Sequence, residues 1–248
     1  MNPAPSDFED LRVEDVSRHF GRRRAVSHVT FHAPRGSIVG LLGPNGAGKS
    51  TILSMLATLL RPSTGRILYG QCDSVVHGAA LRGSIGVLGH DLFLYPELTA
   101  RENLEFFAGL YALKQPGASA DAALERAGLA HRAADPVSSF SRGMRQRVAL
   151  ERALIHDPRL LLLDEPFTGL DESSAARLLA RLDSLRKQGT IVVLATHDLD
   201  LAEGLFDRAI FLRDGRMASA ADRPASLRAM YREVMTHAHA AAAQGTEG

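Results

Sequence analysis

The chain has 248 residues, 45% of them hydrophobic, so it can bury a substantial core in one large or two small domains. Its 29 Lys and Arg residues balance 28 Asp and Glu residues, which excludes the basic field typical of nucleic-acid-binding proteins. Cys72 is the only cysteine, which excludes an intramolecular disulfide and favours a reducing compartment. No apolar run reaches the roughly 18–20 residues that span a bilayer, and residues 1–10 are Pro-rich and acidic, unlike a signal peptide. We therefore expect a cytoplasmic protein that reaches a membrane only by binding another chain.

The first third of the chain alternates strand patterns with turns and contains one helix pattern. The Arg run at 22–24 follows Phe20-Gly21 and is predicted to lie on a solvated turn. Predicted strands cover 11–20, 25–33, 38–42, 66–69 and 84–88, and a predicted helix covers 51–60. The first two strands are assigned to an antiparallel edge sheet.

Residues 91–139 have a different, wholly helical pattern. Thr99 and Glu102 have the spacing of a capping box, and apolar residues then recur at helical intervals through Tyr111. A second helix is predicted over 120–127, closed by Gly128. This segment is therefore predicted to be a helical subdomain inserted into an α/β core.

The last part of the chain returns to strands. Residues 160–163 and 190–195 are continuous apolar runs, as expected of parallel strands buried on both faces. Asp214-Gly215 predicts a hairpin between 209–212 and 216–218. These patterns place the main domain at 1–220. The remainder, 221–248, is predicted to be a helix with Leu227, Met230, Tyr231 and Val234 on one face, then a disordered Ala-rich tail in which His237 and His239 are solvated.

Residues 43–50 match the phosphate-binding pattern G-x-x-x-x-G-K-[ST] in full. An apolar strand precedes the match and a helix pattern follows it, which is the context that this loop requires. The glycines let backbone N–H groups turn towards phosphate oxygens, at the positive end of the following helix. Lys49 is predicted to reach the β- and γ-phosphates, and the Ser50 hydroxyl to bind Mg²⁺. The matching residues are Gly43, Pro44, Asn45, Gly46, Ala47, Gly48, Lys49 and Ser50.

Two carboxylates follow the four-leucine strand at 160–163. Asp164 ends this strand, and ligands of open α/β sheets bind at the carboxyl ends of strands, so Asp164 is predicted to hold Mg²⁺. Strand alternation is expected to turn the neighbouring Glu165 the opposite way, towards the water that attacks the γ-phosphate. Glu165 is therefore the predicted base or water-orienting group.

Together these motifs resemble the ATPase subunits of ATP-binding cassette (ABC) transporters from residue 11 to about 220. The resemblance implies a RecA-like P-loop NTPase core with a parallel sheet, an antiparallel β subdomain and the helical insert. It extends the phosphate loop to Thr51 and assigns the switch histidine to His197. It also implies that Phe20 stacks on adenine and that Asp171 lies in the D-loop.

The signature motif of the resembled family falls on residues 140–144, Phe-Ser-Arg-Gly-Met. Ser141 is predicted to be a helix N-cap, whose neighbouring N–H groups can bind an anion. The resemblance implies that Ser141 and Gly143 bind the γ-phosphate held by a second ATPase subunit. Two ATP molecules would then lie between two head-to-tail subunits, which drive integral membrane subunits on separate chains.

Three positions depart from the usual family pattern. Arg142 and Met144 replace a glycine and a glutamine, and their side chains are expected to point away from the phosphate. His90 replaces the Q-loop glutamine; its imidazole can meet water or metal, or it is simply a polar loop residue.

The segment 88–104 favours a particular subfamily, the ATPase of the cytochrome c maturation haem exporter. Exporters of drugs, lipids or polysaccharides share many of the same features and stay open as alternatives. Three other classes are less compatible with the sequence. The short helical insert argues against a soluble ABC ATPase of translation or DNA repair, and the signature argues against a P-loop kinase. Glu165 and His197 argue against a regulatory subunit without turnover.

Apolar loop residues after His90 are predicted to contact either the membrane partner or the core: Phe93, Leu94, Tyr95 and Leu98.

Overall fold

A ten-stranded sheet runs through the part of the chain that the computed structural model describes, residues 7–234. Its strand order is β5-β4-β1-β2-β10-β9-β3-β8-β7-β6. The strands are β1 (Asp10–Phe20), β2 (Arg23–Pro34), β3 (Ile38–Leu42), β4 (Thr64–Tyr69), β5 (Cys72–Asp73), β6 (Ile85–Leu88), β7 (Leu160–Asp164), β8 (Ile191–Thr196), β9 (Arg208–Arg213) and β10 (Arg216–Asp222).

One half of the sheet is parallel and covered on both faces. Strands β6, β7, β8, β3 and β9 pair in parallel, and every residue of β3 and β8 is buried. Successive leucines of β7 alternate between two hydrophobic clusters, because side chains along a strand point to opposite faces. Leu160 and Leu162 pack in one cluster with α1, and Leu161 and Leu163 in the other with α5 and α6.

The other half of the sheet is antiparallel. β1 pairs with β2 and β4, and β9 forms the predicted hairpin with β10 around Asp214-Gly215. One parallel pairing, of Arg216 in β10 with Ser27 in β2, joins strands β1, β2, β4 and β5 to the other six strands. The predicted α/β fold with a P-loop NTPase core, a parallel sheet and an antiparallel part is therefore confirmed.

Six α-helices lie between β1 and β10: α1 (Lys49–Leu56), α2 (Ser74–Leu81), α3 (Ala100–Leu110), α4 (Pro116–Arg126), α5 (Arg142–Leu154) and α6 (Glu172–Lys187). The capping box at the start of α3 is confirmed, since the Thr99 and Glu102 side chains each accept a hydrogen bond from the other residue's backbone. Helices α3, α4 and α5 share a third hydrophobic cluster, separate from the two beside the sheet.

Some element boundaries differ from the predictions. The helix predicted over 51–60 ends at Leu56, because the chain turns at Thr58 with φ of 58°. The helix predicted over 120–127 begins at Pro116, since proline is favoured in a first turn. Helix α2 was not predicted; Asp73 caps it by accepting a hydrogen bond from Val75 N at 2.7 Å.

The chain after β10 continues into helix over residues 227–234. Leu227 is buried against the cluster of α5 and α6, and Met230, Tyr231 and Val234 pack partly on it. The predicted disordered tail, with His237 and His239, lies outside the described residues. Within residues 7–234, no helix combines the length and the apolar character that crossing a bilayer demands.

His156, just after α5, provides a test of pH-dependent stability. Its ring stacks on Tyr111 at a centroid distance of 3.8 Å, and its Nε2 lies 3.2 Å from the Ile85 carbonyl oxygen. Nδ1 is buried without a hydrogen-bond partner. Burial lowers the pKa of His156 from 6.5 to about 4.

Because the folded pKa is lowered, the contribution of His156 to stability is present above pH 6.5 and is lost as pH falls towards 4. We expect the free energy of urea unfolding to fall between pH 7 and pH 5, and to fall less in His156→Gln. His131→Gln, at an exposed histidine, is the control. An identical pH dependence in wild type and His156→Gln would contradict this assignment.

Candidate nucleotide-binding site

The phosphate loop connects β3 to α1 in a backbone path that requires glycine. Gly43, Gly46 and Gly48 have φ of 151°, 82° and 100°. A Cβ at Gly43 would lie 2.3 Å from the Leu212 carbonyl oxygen, so β9 passes too close for any side chain. The loop therefore presents backbone at the N-terminus of α1, where the helix dipole favours an anion.

Lys49 is buried at the first position of α1 and its ammonium group faces back into the loop. Nζ donates to the carbonyl oxygens of Gly43 at 2.7 Å and Pro44 at 3.3 Å. It also lies 3.7 Å from Glu165 Oε1. The cation is thus fixed between the loop and the carboxylate that follows β7.

Glu165 is held from two sides. Its Oε2 accepts a hydrogen bond from His197 N at 3.2 Å and lies 2.9 Å from His197 Nδ1. Its own N–H donates to the Ala195 carbonyl oxygen at 2.8 Å. The ends of β7 and β8 therefore position the Glu165 carboxylate beside Lys49 and His197.

The strand alternation expected of Asp164 and Glu165 does not extend to Glu165. β7 ends at Asp164, and Glu165 has φ of 50°, in the left-handed region that a non-glycine residue rarely adopts. This turn brings both carboxylates to the same cleft. The strand rule failed because Glu165 no longer belongs to the strand.

The cleft has a volume of about 500 Å³ and contains most of the predicted nucleotide-binding residues. It also contains residues that were not predicted. Arg23 and Arg24, predicted to lie on a solvated turn, are exposed at the start of β2 and line this cleft. The whole lining is Arg23, Arg24, Ala25, Asn45, Gly46, Ala47, Gly48, Lys49, Ser50, Thr51, His90, Asp164, Glu165, Asp214 and Gly215.

Six predicted nucleotide-binding residues do not line this cleft, and neither does the predicted catalytic residue His197. Gly43 and Pro44 begin the phosphate loop, where their carbonyl oxygens accept hydrogen bonds from Lys49, and the other four lie on other elements. Phe20 is 45% exposed, and the Arg18 guanidinium carbon lies 4.7 Å above its ring. Ser141 caps α5, where its Oγ accepts a hydrogen bond from Met144 N at 3.3 Å. Gly143 follows it in the first turn of the same helix. Asp171 caps α6 by accepting a hydrogen bond from Ser174 N at 2.7 Å, which lowers the pKa of its carboxyl.

The side chain of Arg142 lies against the segment that leads into α6. A Cβ at Gly169 would come within 2.7 Å of Arg142 Nε, so the guanidinium packs on the Gly169 backbone. Gly143 is close to Ser174, whose Oγ lies 2.8 Å from the place of a Gly143 Cβ. The starts of α5 and α6 are thus packed directly together.

These features agree with the comparisons with known proteins. The family model described as ABC transporter matches residues 26–168, so the chain belongs to this family. It is an ATP-binding subunit and an ABC ATPase. The expected resemblance to the family is confirmed.

Particular relatives are similar over most of this chain. The linearmycin resistance ATP-binding protein of Bacillus subtilis is 37% identical over 84% of this chain and 67% of its own length. The daunorubicin resistance ATP-binding protein of Streptomyces coeruleorubidus is 40% identical over 84% of this chain and 66% of its own. The chain therefore spans about two thirds of these relatives.

A solved structure is similar in fold. It is a dimeric ATP-binding cassette in a post-hydrolysis state bound to ADP and Pi, with a TM-score of 0.75 and 28% identity. The match covers 86% of this chain and 99% of that one.

We expect Gly48→Ala to weaken ATP binding at least tenfold. Gly48 has φ of 100°, and a Cβ there would lie 2.8 Å from the Ala25 carbonyl oxygen, so alanine must displace the loop. Calorimetric titration with ATP measures the effect. Gly83→Ala is the matched control because a Cβ at Gly83 has no atom within 4 Å. Equal affinities for the two variants would show that the loop geometry does not govern binding.

Proposed function

We propose that the chain is the ATP-hydrolysing subunit of an exporter in which two copies enclose two ATP molecules and drive separate membrane-embedded subunits. One observation carries this proposal. Lys49, Glu165 and His197 meet at the phosphate loop, whereas the signature residue Ser141 lies outside that cleft, at the start of another helix. This separation supports a site shared between two copies, with the phosphates of ATP in the cleft of one copy and the exposed start of α5 supplied by the other.

In this proposal the loop residues 43–51 bind the phosphates of ATP. The backbone N–H groups and the Lys49 ammonium donate to phosphate oxygens, and Phe20 at the end of β1 stacks on adenine. Arg23 and Arg24 line the same cleft and add positive charge near the polyphosphate.

The cleft lining is chemically suited to ATP bound with Mg²⁺. Arg23, Arg24 and Lys49 are balanced by three carboxylates, those of Asp164, Glu165 and Asp214. A polyphosphate therefore fits better when a cation accompanies it. Mg²⁺ prefers oxygen ligands and keeps several waters, and it supplies charge neutralisation to the phosphates. Ser50 and Asp164 would hold it, with His90 contributing through its imidazole or a water.

In this proposal Glu165 orients the attacking water, and its contacts with His197 and Lys49 support that role. Its Oε2 is fixed by His197, and Oε1 faces Lys49 at 3.7 Å. The carboxylate can accept a proton from water while His197 keeps it aligned. Lys49 holds the phosphate against which that water is directed.

The dimer in this proposal follows from the position of the signature residues 140–144 on the surface of the subunit. Ser141 is exposed at the N-cap of α5, so the positive end of this helix is open to a phosphate held by another subunit. Gly143 and the Asp171 segment are packed beside it and complete the same surface. The solved dimeric relative supports this arrangement.

The expectation of a haem exporter is not supported by the names of similar proteins. The two relatives above are resistance proteins for linearmycin and daunorubicin, so the alternative, export of another organic compound, is favoured. We propose an amphipathic organic compound as the cargo class. The subunit would work at the inner face of the cell membrane, held there by its partners.

The loop after His90 offers a surface for those partners. Phe93 and Tyr95 are 62% and 46% exposed. They adjoin a cleft of about 460 Å³ whose lining includes Leu92 and Leu94. Apolar side chains that remain exposed around a groove favour contact with another protein. We assign this groove to the membrane subunit.

We expect Glu165→Gln to lower the ATPase rate about 100-fold or more, because the amide cannot accept a proton. Glu97→Gln, at an exposed glutamate, should leave the rate unchanged. In ATP, Glu165→Gln should form a stable dimer by light scattering. A rate equal to wild type would remove Glu165 from this role, and a persistent monomer with nucleotide bound would contradict the shared site.

We expect His90→Ala to lower kcat about tenfold with little change in ATP affinity, since His90 lies at the cleft but outside the phosphate loop. His90→Gln should retain most of the activity, because the amide oxygen can meet water or metal. Steady-state ATPase kinetics measure both. A wild-type kcat in His90→Ala would identify His90 as an ordinary loop residue.

A further inference from the structure

A second cleft of about 370 Å³ lies apart from the phosphate loop, between the end of α4 and the facing sides of α5 and α6. Leu150, Leu170 and Leu178 form an apolar part of its lining. Its charged lining consists of four arginines and two glutamates, an excess of two positive charges: Arg126, Arg147, Arg177, Arg181, Glu125 and Glu151. We call it the arginine cleft.

Two of these arginines, Arg126 and Arg181, form ion pairs with Glu151. Its side chain is only 2% exposed, and it lies 2.7 Å from Arg126 Nε and 3.0 Å from Arg181 Nε. A buried carboxylate needs such partners. Since the three residues belong to α4, α5 and α6, the ion pairs tie the walls of the cleft together.

The charges of the other two arginines, Arg147 and Arg177, both act on the carboxylate of Asp171 and help to lower its pKa. Their Nη1 atoms lie 3.6 and 3.4 Å from one point, the place of a Cβ at Gly128. Arg147 Nη1 donates to the Ala127 carbonyl oxygen at 2.7 Å, but its Nε is buried with no hydrogen-bond partner. Neither guanidinium forms an ion pair within residues 7–234.

The electrostatics at this point favour an added negative charge. Burial and, secondly, the charge of Arg177 lower the pKa of Arg147, and Asp171 opposes them. An anion between the two guanidinium groups would neutralise their repulsion and could accept hydrogen bonds from both.

We propose that the arginine cleft binds an amphipathic organic anion, with its carboxylate or phosphate group between Arg147 and Arg177 and its apolar body on Leu150, Leu170 and Leu178. The volume lies in the range of small-molecule sites, about 300–1,000 Å³. An inorganic anion alone would leave the leucines uncovered. Gly143 also lines this cleft, so its ligand would touch the first turn of α5, behind Ser141.

Binding of defined probes tests the proposal. We would titrate the wild-type chain with 1-naphthoate and 1-naphthyl phosphate by calorimetry, and use neutral 1-naphthol as the uncharged control. At least one anion should bind with one site per chain and at least tenfold more tightly than 1-naphthol. The stronger of the two anions identifies the preferred head group. Failure of both anions to bind, or affinity no greater than that of 1-naphthol, would overturn the proposal.

Variants locate the site. Arg147→Gln/Arg177→Gln should weaken binding of the anion at least tenfold, whereas Arg66→Gln, at an exposed arginine on β4, should not. Ala180→Phe should also abolish binding, because Ala180 is exposed on α6 and lines the cleft. Ala180→Phe decides the question if the double variant does not fold. Undiminished binding to a folded variant would overturn the proposal. Because Arg147, Arg177 and Ala180 lie outside the phosphate cleft, an anion that binds at the phosphate loop instead would bind these variants undiminished, so the two sites are distinguished.

Discussion

The contact of the Glu165 carboxylate with Lys49 and His197 is the interaction on which the rest of the site depends. It joins the phosphate loop to the ends of two strands that are distant in sequence. Parallel pairing makes this possible, since Leu42 lies beside Thr196 and Asp164 beside Ala195. Three carboxyl ends of strands therefore meet at one edge of the sheet, where ligands of α/β proteins bind.

The path of the chain into β7 also explains why the signature residues 140–144 lie outside the phosphate cleft. Strand β7 ends at Asp164 beside the phosphate cleft and Glu165 follows it, but the preceding helix, α5, has its N-cap residue Ser141 on another surface. The N-terminus of α5 is exposed, and the Ser141 Oγ accepts a hydrogen bond from the backbone of the same helix. A second subunit bearing ATP is the partner that fits this surface in our proposal. Arg142 does not occupy it, because its side chain packs back on Gly169.

The sequence predicted the local features of the fold well. The phosphate loop, the capping box of α3 and the hairpin at Asp214 each depend on residues close together in the chain, so their patterns are readable directly. The roles assigned to individual site residues stay predictions until they are measured.

Features that depend on contacts between distant parts of the chain could not be predicted from the sequence. Arg23 and Arg24 line the phosphate cleft only because β2 crosses beside β10, through the pairing of Ser27 with Arg216. The turn of Glu165 follows from its hydrogen bond to Ala195, which no local pattern indicates. The arginine cleft likewise assembles residues from three helices, and α2 had no apolar periodicity that distinguished it from a loop.

The central claim is that one subunit's phosphate loop meets the other subunit's signature only when ATP is bound. Cysteines placed at Asn45 and Ser141, both exposed, in a Cys72→Ala chain test it directly by oxidation and non-reducing electrophoresis. The account predicts a disulfide-linked dimer that forms with ATP and not without nucleotide. An equal yield of dimer without ATP, or no dimer with ATP bound, would contradict it.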